Sequence, residues 1–107
     1  MIPDGLTRMV KVEVVVAGDD VPTVRRVFES ARATGWTSVS NVSGLGHGGL
    51  HQGGLLFNER AALQLLITVV PEDRADALVA GLRTLLEERS GVMFVSEVAV
   101  SRPEYFA

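Results

Sequence analysis

Cysteine is absent from this sequence. Its absence excludes disulfide bonds, thiolate metal ligands and thiol catalysis. The sequence also lacks an apolar run of roughly 18 residues, so we expect no transmembrane helix. The 10 basic residues are outnumbered by 13 acidic ones and form no basic stripe, so we do not expect nucleic acid as a partner. The first residues lack the charged-then-apolar order of a signal peptide, which makes the cytoplasm the expected location.

The composition is that of a globular protein. Hydrophobic residues make up 47% of the 107 positions, and this length suits one modest core. We therefore expect a single domain over residues 1–107.

Hydrophobic periodicity predicts six elements in the order β-α-β-β-α-β. Apolar residues at helical spacing predict one helix over 21–33, with Asp19 or Asp20 as its cap, and a second helix that begins near residue 72. Apolar and β-branched residues predict strands over 10–16, 36–43, 62–70 and 92–100. This order is typical of the ferredoxin-like split βαβ fold of the α+β class, a four-stranded antiparallel sheet with both helices on one face.

The second face of this sheet is expected to be buried as well. It includes Lys11, Glu13 and Val15, together with alternate positions of the third and fourth strands. The third strand is apolar at almost every position, unlike a strand with one face in water. We expect this face to pack against other copies of the chain.

The segment between the second and third strands is unusually rich in glycine. Residues 44–54 hold six of the eleven glycines and both histidines. Ordering such a stretch costs entropy, so its expected use is functional, with backbone N–H groups that approach an anion or a partner. The alternative is a flexible hairpin loop without a ligand. A Walker motif is excluded because no Gly-Lys-Ser/Thr follows.

The two histidines, His47 and His51, are four residues apart. On a helix this spacing would suit a metal ion, but the glycines disfavour a helix and Glu59 is the only nearby carboxylate. A hydrogen bond or partial charge to an anionic ligand is the preferred interpretation. No Gly-x-Ser-x-Gly elbow or Ser-His-Asp set indicates an enzyme.

Three further residues have simple structural interpretations. Trp36, the only tryptophan, is expected in the core or in an interface. Arg89 and Arg102 flank the fourth strand at opposite ends. Either arginine suits a phosphate, although solvent exposure is the simpler expectation for each.

Three segments resemble the PII signalling proteins in the same order. The first, Thr34-Gly35-Trp36-Thr37, is followed by Val39, Val42 and Gly44-Leu45-Gly46, and it is similar to that family's second strand, in which a basic residue follows G-F-G. Here His47 takes the basic position. Residues 69–73 resemble the family's exit from the third strand, and residues 91–95 resemble its G-K-I-F-V. The likeness extends from residue 9 to about residue 102.

The resemblance implies a homotrimer, not an enzyme, with clefts between subunits that bind adenine nucleotides. It also implies a T-loop over 44–60 that docks on a regulated transporter or enzyme, without insertion into a membrane. The nucleotide-binding residues that it indicates are Thr37, Gly44, Gly46, His47, Gly91, Val92 and Met93, with Arg89 and Arg102 nearby. The residues that it indicates for a partner or an anion are Gly48, Gly49, His51, Gln52, Gly53 and Gly54.

The departures from the family pattern concern charge. The T-loop is short, lacks the tyrosine that is uridylylated, and has no arginine at its base, while Val92 stands at the lysine position. A triphosphate with magnesium needs several fixed cations around it. We therefore expect ADP or AMP rather than ATP, with bicarbonate as a candidate second ligand and no required metal.

Two other functions remain open at this point. The first is a trimeric divalent-metal-associated protein of the cation-tolerance type that uses His47 and His51. The second is a small ferredoxin-like enzyme, which ranks last because few polar residues fall at core-facing positions.

Overall fold

The computed structural model describes residues 2–43 and 62–107. The strands are β1 (Thr7–Ala17), β2 (Trp36–Val42), β3 (Leu63–Val70) and β4 (Gly91–Val100), and the helices are α1 (Val21–Ser30) and α2 (Glu72–Glu87). Short 3-10 turns occupy Gly18–Asp20 and Pro103–Tyr105. The predicted order of six elements is confirmed.

The sheet order is β2-β3-β1-β4, with all three pairs antiparallel. Both helices pack on one face, against alternate residues of β1 that are buried at every second position. The core of this face consists of Val10, Val12, Val14, Val16, Val24, Phe28, Ala31, Ala33, Leu66, Val70, Leu78 and Leu82. The βαββαβ order and this arrangement confirm the ferredoxin-like prediction.

Helix α1 ends three residues earlier than periodicity predicts. Arg32 adopts the left-handed conformation, with φ of 64°. Its N–H donates to the carbonyl of Glu29 at 3.0 Å, and the N–H of Ala33 donates to that of Phe28 at 2.9 Å. This is a Schellman ending, normally formed by glycine, so the apolar pattern alone gave no signal for it.

The predicted aspartate cap of α1 is wrong. Asp20 is the N-cap residue but makes no side-chain capping hydrogen bond. Its φ of −93° and ψ of −5° continue the preceding 3-10 turn, whereas a capping side chain needs an extended backbone. The Asp20 carboxylate instead bonds a distant arginine, Arg89.

Neither helix of the described residues covers the opposite face of the sheet. Cross-strand pairs place Val39, Leu65 and Val15 side by side on it, next to Val92 of β4. Phe94 lies opposite Glu13 on the same face and is 55% exposed. We call this surface, made by these residues with Ile67, Val69 and Lys11, the open face. Its apolar character is as the sequence predicts.

In the part of the chain that the structure describes, no helix is long and apolar enough to cross a membrane.

Candidate functional site

Each of the four strands has one terminus at the same end of the sheet, measured along the strand direction. Val42 of β2 pairs with Leu63, Leu63 pairs with Ala17, and Val16 pairs with Gly91. The end of β2, the start of β3, the end of β1 and the start of β4 therefore lie side by side. At a strand spacing of about 4.8 Å, they span roughly 14 Å. We call this the loop edge, because the segment 44–61 leaves and re-enters the sheet here.

The turn Gly18–Asp20 connects two parts of the loop edge. The Gly18 N–H donates to the carbonyl of Ala62 at 2.8 Å, which holds the flank of the glycine-rich segment. Arg89 Nη1 donates to Asp20 Oδ1 at 2.8 Å, which holds the loop between α2 and β4. One three-residue turn thus positions the backbone on both sides of the candidate site.

Gly91 allows β4 to begin close to β1. A Cβ at this position would lie 2.8 Å from the carbonyl oxygen of Val15 and 2.9 Å from Leu86 Cδ2. The φ of Gly91 is also positive, at 152°. A side chain here would displace the backbone that carries Arg89, since the carbonyl of Val15 is fixed in the sheet.

We expect Gly91→Ala to lower the free energy of unfolding by about 2–3 kcal/mol, because the new methyl group meets a backbone atom that cannot move away. Urea unfolding of the purified variant measures this loss. Gly35→Ala is the matched control: no atom lies within 4 Å of its Cβ position. Its expected change is within about 0.5 kcal/mol. Equal stability of the two variants would contradict the close approach at Gly91.

The structure brings some of the predicted nucleotide-binding residues together. Arg89, Gly91 and Val92 all lie at the loop edge, and Val92 is exposed on the open face. Met93 packs its half-buried side chain against the core, on the opposite side of the sheet from Val92. Thr37 is exposed on the open face, opposite Ile67 and farther from the edge.

The residues predicted within the T-loop lie outside the described part of the chain. They are Gly44, Gly46, His47, Gly48, Gly49, His51, Gln52, Gly53 and Gly54. Within residues 2–43 and 62–107, no group of three or more histidine, aspartate or glutamate side chains is arranged to hold a metal ion.

Arg102 lies at the far end of the sheet from the loop edge. Thr7 pairs with Val100, so the chain leaves β4 beside the start of β1. Ten strand residues separate the two edges, a distance of roughly 30 Å. Arg89 and Arg102 of one chain therefore cannot contact the same small ligand.

The C-terminal turn holds Arg102 in place. Its Nη1 donates to the hydroxyl of Tyr105 at 2.8 Å, and its guanidinium lies 5.5 Å from the centre of that ring. The Thr34 hydroxyl in turn donates to the carbonyl of Tyr105 at 3.3 Å. Arg102 is therefore exposed to solvent but held by its neighbours.

Trp36 packs against the core, which is one of the two positions, core or interface, that the sequence predicts for it. It is half-buried against the core, with its ring centre 5.8 Å from that of Phe28. The guanidinium of Arg25 covers the ring at 5.1 Å. The ring therefore packs between Phe28 and Arg25 at the end of the sheet opposite the loop edge.

Sequence reasoning missed the bond between Asp20 and Arg89. The two residues are 69 positions apart, and each had a sufficient local explanation, as a helix cap and as a solvated helix end. No spacing in the sequence indicates such a pair, because only the sheet register brings the two loops together.

The fold defines a small ferredoxin-like domain with a long segment of sequence between its second and third strands. Residues 9–105 match the family model of the nitrogen regulatory protein P-II. The chain belongs to this family, and the resemblance seen in the sequence is confirmed.

Solved structures agree with this assignment. CPII, a nitrogen regulatory PII-like protein from Thiomonas intermedia K12, was solved bound to ADP, AMP and bicarbonate. It is 36% identical, with a TM-score of 0.84 over 94% of this chain and 95% of CPII. A structure of CPII bound to ADP and bicarbonate matches at 32% identity, with a TM-score of 0.82 over 95% of this chain and 97% of CPII.

CutA1 from Oryza sativa is similar at 15% identity, with a TM-score of 0.66 over 96% of this chain and 91% of CutA1, which shows a shared fold alone. No curated protein sequence matches the chain.

Proposed function

We propose that this chain is a trimeric, non-enzymatic regulatory protein of the cytoplasm. It binds ADP or AMP in clefts between subunits, takes bicarbonate as a second ligand, and signals to a partner through the segment 44–60. The observation that carries the proposal is the position of the two arginines. A site that uses both Arg89 and Arg102 needs two copies of the chain, because they lie at opposite edges of one sheet.

Known relatives support the choice of ligands. Four structures of CPII contain ADP with AMP or bicarbonate, and two of these contain ADP, AMP and bicarbonate together. The sequence of this chain suits the same ligands, since no lysine or arginine occurs between Gly44 and Glu59. A ligand with few negative charges needs fewer cations around it than ATP with magnesium does.

The open face supports assembly into an oligomer. Its apolar residues lie side by side across all four strands, and in the single chain Val39, Val92 and Phe94 are exposed while the others are half-buried. Burying an exposed apolar surface contributes about 25 cal/mol per Å², and a large patch of this kind marks an interface. In the proposed trimer, three copies of the open face pack around a common axis, and the loop edge of one copy lies near Arg102 of the next.

The signalling step follows from differential binding. A ligand that contacts the base of the segment 44–60 favours the loop conformations that bind it best, and a partner that recognises those conformations responds to the ligand. The glycines suit this role because they permit many backbone conformations at low steric cost.

Titration calorimetry with AMP, ADP and ATP, each with and without bicarbonate, tests the proposal. We expect ADP and AMP to bind more tightly than ATP, and Arg102→Gln to weaken ADP binding by roughly tenfold, as the loss of a charge-assisted hydrogen bond does. Arg83→Gln is the control, since Arg83 is exposed on α2, which packs against the other face of the sheet. Absence of binding for every nucleotide would overturn the proposal, and binding of a divalent metal alone would favour the cation-tolerance function.

A further inference from the structure

The ion pair between Asp20 and Arg89 lies at the loop edge and has no role in the nucleotide site as described so far. Its Nη1–Oδ1 distance is 2.8 Å, and the side chains are 19% exposed for Asp20 and 40% exposed for Arg89. The carboxylate is thus mostly enclosed, while much of the guanidinium faces solvent. One pair of atoms joins them, so other N–H groups of Arg89 point elsewhere.

Both partners are held by the backbone around them. The N–H of Val21 donates to the carbonyl of Gly18 and closes the turn that carries Asp20. Arg89 follows the end of α2, where the N–H of Glu88 donates to the carbonyl of Leu85 at 3.3 Å, and precedes the close approach at Gly91. The backbone on both sides of the pair therefore places Asp20 beside Arg89 in the folded chain.

This arrangement changes what Arg89 offers to a phosphate. A cation with a carboxylate in contact presents little net charge, and the carboxylate repels every phosphate group that approaches. The repulsion grows with the charge on the ligand, so it opposes a triphosphate more than a diphosphate, and a diphosphate more than a monophosphate. The stretch from Gly44 to Glu59, which follows β2 in the sequence, contributes no lysine or arginine to offset it.

We infer that Asp20 is a specificity-determining residue, which makes this edge select adenine nucleotides of low charge by holding Arg89. The inference rests on the proposed function, in which ADP or AMP binds at the loop edge. The sequence analysis attributes the preference for ADP or AMP to cations that the family motifs lack here. The inference adds a second cause, a carboxylate that lies outside those motifs.

The test compares Asp20→Asn with the unsubstituted protein by calorimetry against AMP, ADP and ATP in magnesium-free buffer. Asparagine keeps the shape of the side chain and removes the charge. We expect the affinity gain to rise with phosphate number, from less than twofold for AMP to roughly threefold for ADP and roughly tenfold for ATP. Asp19→Asn is the matched control: Asp19 is exposed in the same turn, so its replacement changes the net charge equally and should alter all three affinities by less than about twofold.

A second variant shows whether the effect passes through Arg89. When Asp20→Asn is combined with Arg89→Gln, the double variant should show no gain in affinity over the unsubstituted protein that rises with phosphate number. Arg89→Gln alone should weaken ATP more than AMP, and it keeps the inference testable if Asp20→Asn fails to fold. A gain or loss of equal size for all three nucleotides would overturn the inference, because a purely structural role would not depend on phosphate number. Failure of the unsubstituted protein to bind any nucleotide would overturn the proposed function and this inference with it.

Discussion

Replacing Phe94 with glutamate is expected to convert the proposed trimer into monomers. Phe94 is 55% exposed in the single chain and sits on the open face, opposite Glu13 of the neighbouring strand. A glutamate there would place a charge in an apolar interface, directly beside an existing carboxylate. Burying an unpaired charge costs several kcal/mol, and the trimer would carry three such charges.

Size-exclusion chromatography with light scattering at micromolar concentration measures this change. Val95→Glu is the matched control, because Val95 is the next residue on β4 and is exposed to a similar degree, at 49%. Val95 pairs with the buried residue Val12, so its side chain points to the helix side of the sheet. We expect Val95→Glu to remain trimeric. If the Phe94→Glu variant remained trimeric, as the Val95→Glu variant should, the open face would not be the interface.

Replacing Phe28 with alanine is expected to lower the free energy of unfolding by about 3–5 kcal/mol. Phe28 is fully buried beneath α1, where it contacts the core and the ring of Trp36. Alanine would leave a cavity that the surrounding strands cannot fill, since β1 and β3 are fixed by pairing on both sides. A small domain has a total stability of about 5–15 kcal/mol, so this loss is a large part of it.

Urea unfolding followed by the fluorescence of Trp36 measures the effect, since Trp36 is the only tryptophan and touches Phe28. Protomer concentration must be equal in all samples, because association adds to the apparent stability. Phe28→Leu is the control, and it should lose clearly less because it leaves a smaller void. A loss below about 1 kcal/mol for the alanine variant would contradict the central position of Phe28 in the core.

The regular elements could be predicted because their signals are local. Alternation of valines from Val10 to Val16 marks β1, and the spacing of Leu78 and Leu82 marks the buried stripe of α2. The end of α1 could not be predicted, since Arg32 takes a conformation that the sequence normally signals with glycine.

The candidate site was predictable only in part. The family motifs identified Gly91 and Val92, which do lie at the loop edge. They gave no sign of the Asp20–Arg89 pair, because its members meet only through the register of the sheet. The glycine-rich segment lies outside the described residues, so the roles of His47 and His51 stay predictions.

The strand order also has a consequence for how the chain reaches its folded state. β1 precedes the other three strands in the sequence, yet it lies inside the sheet between β3 and β4, and its Thr7 pairs with Val100 at the end of β4. Pairing over such a separation closes a long loop before its contacts form, which slows folding. During synthesis, the edge of β1 that accepts β4 therefore stays unpaired until β4 itself has left the ribosome.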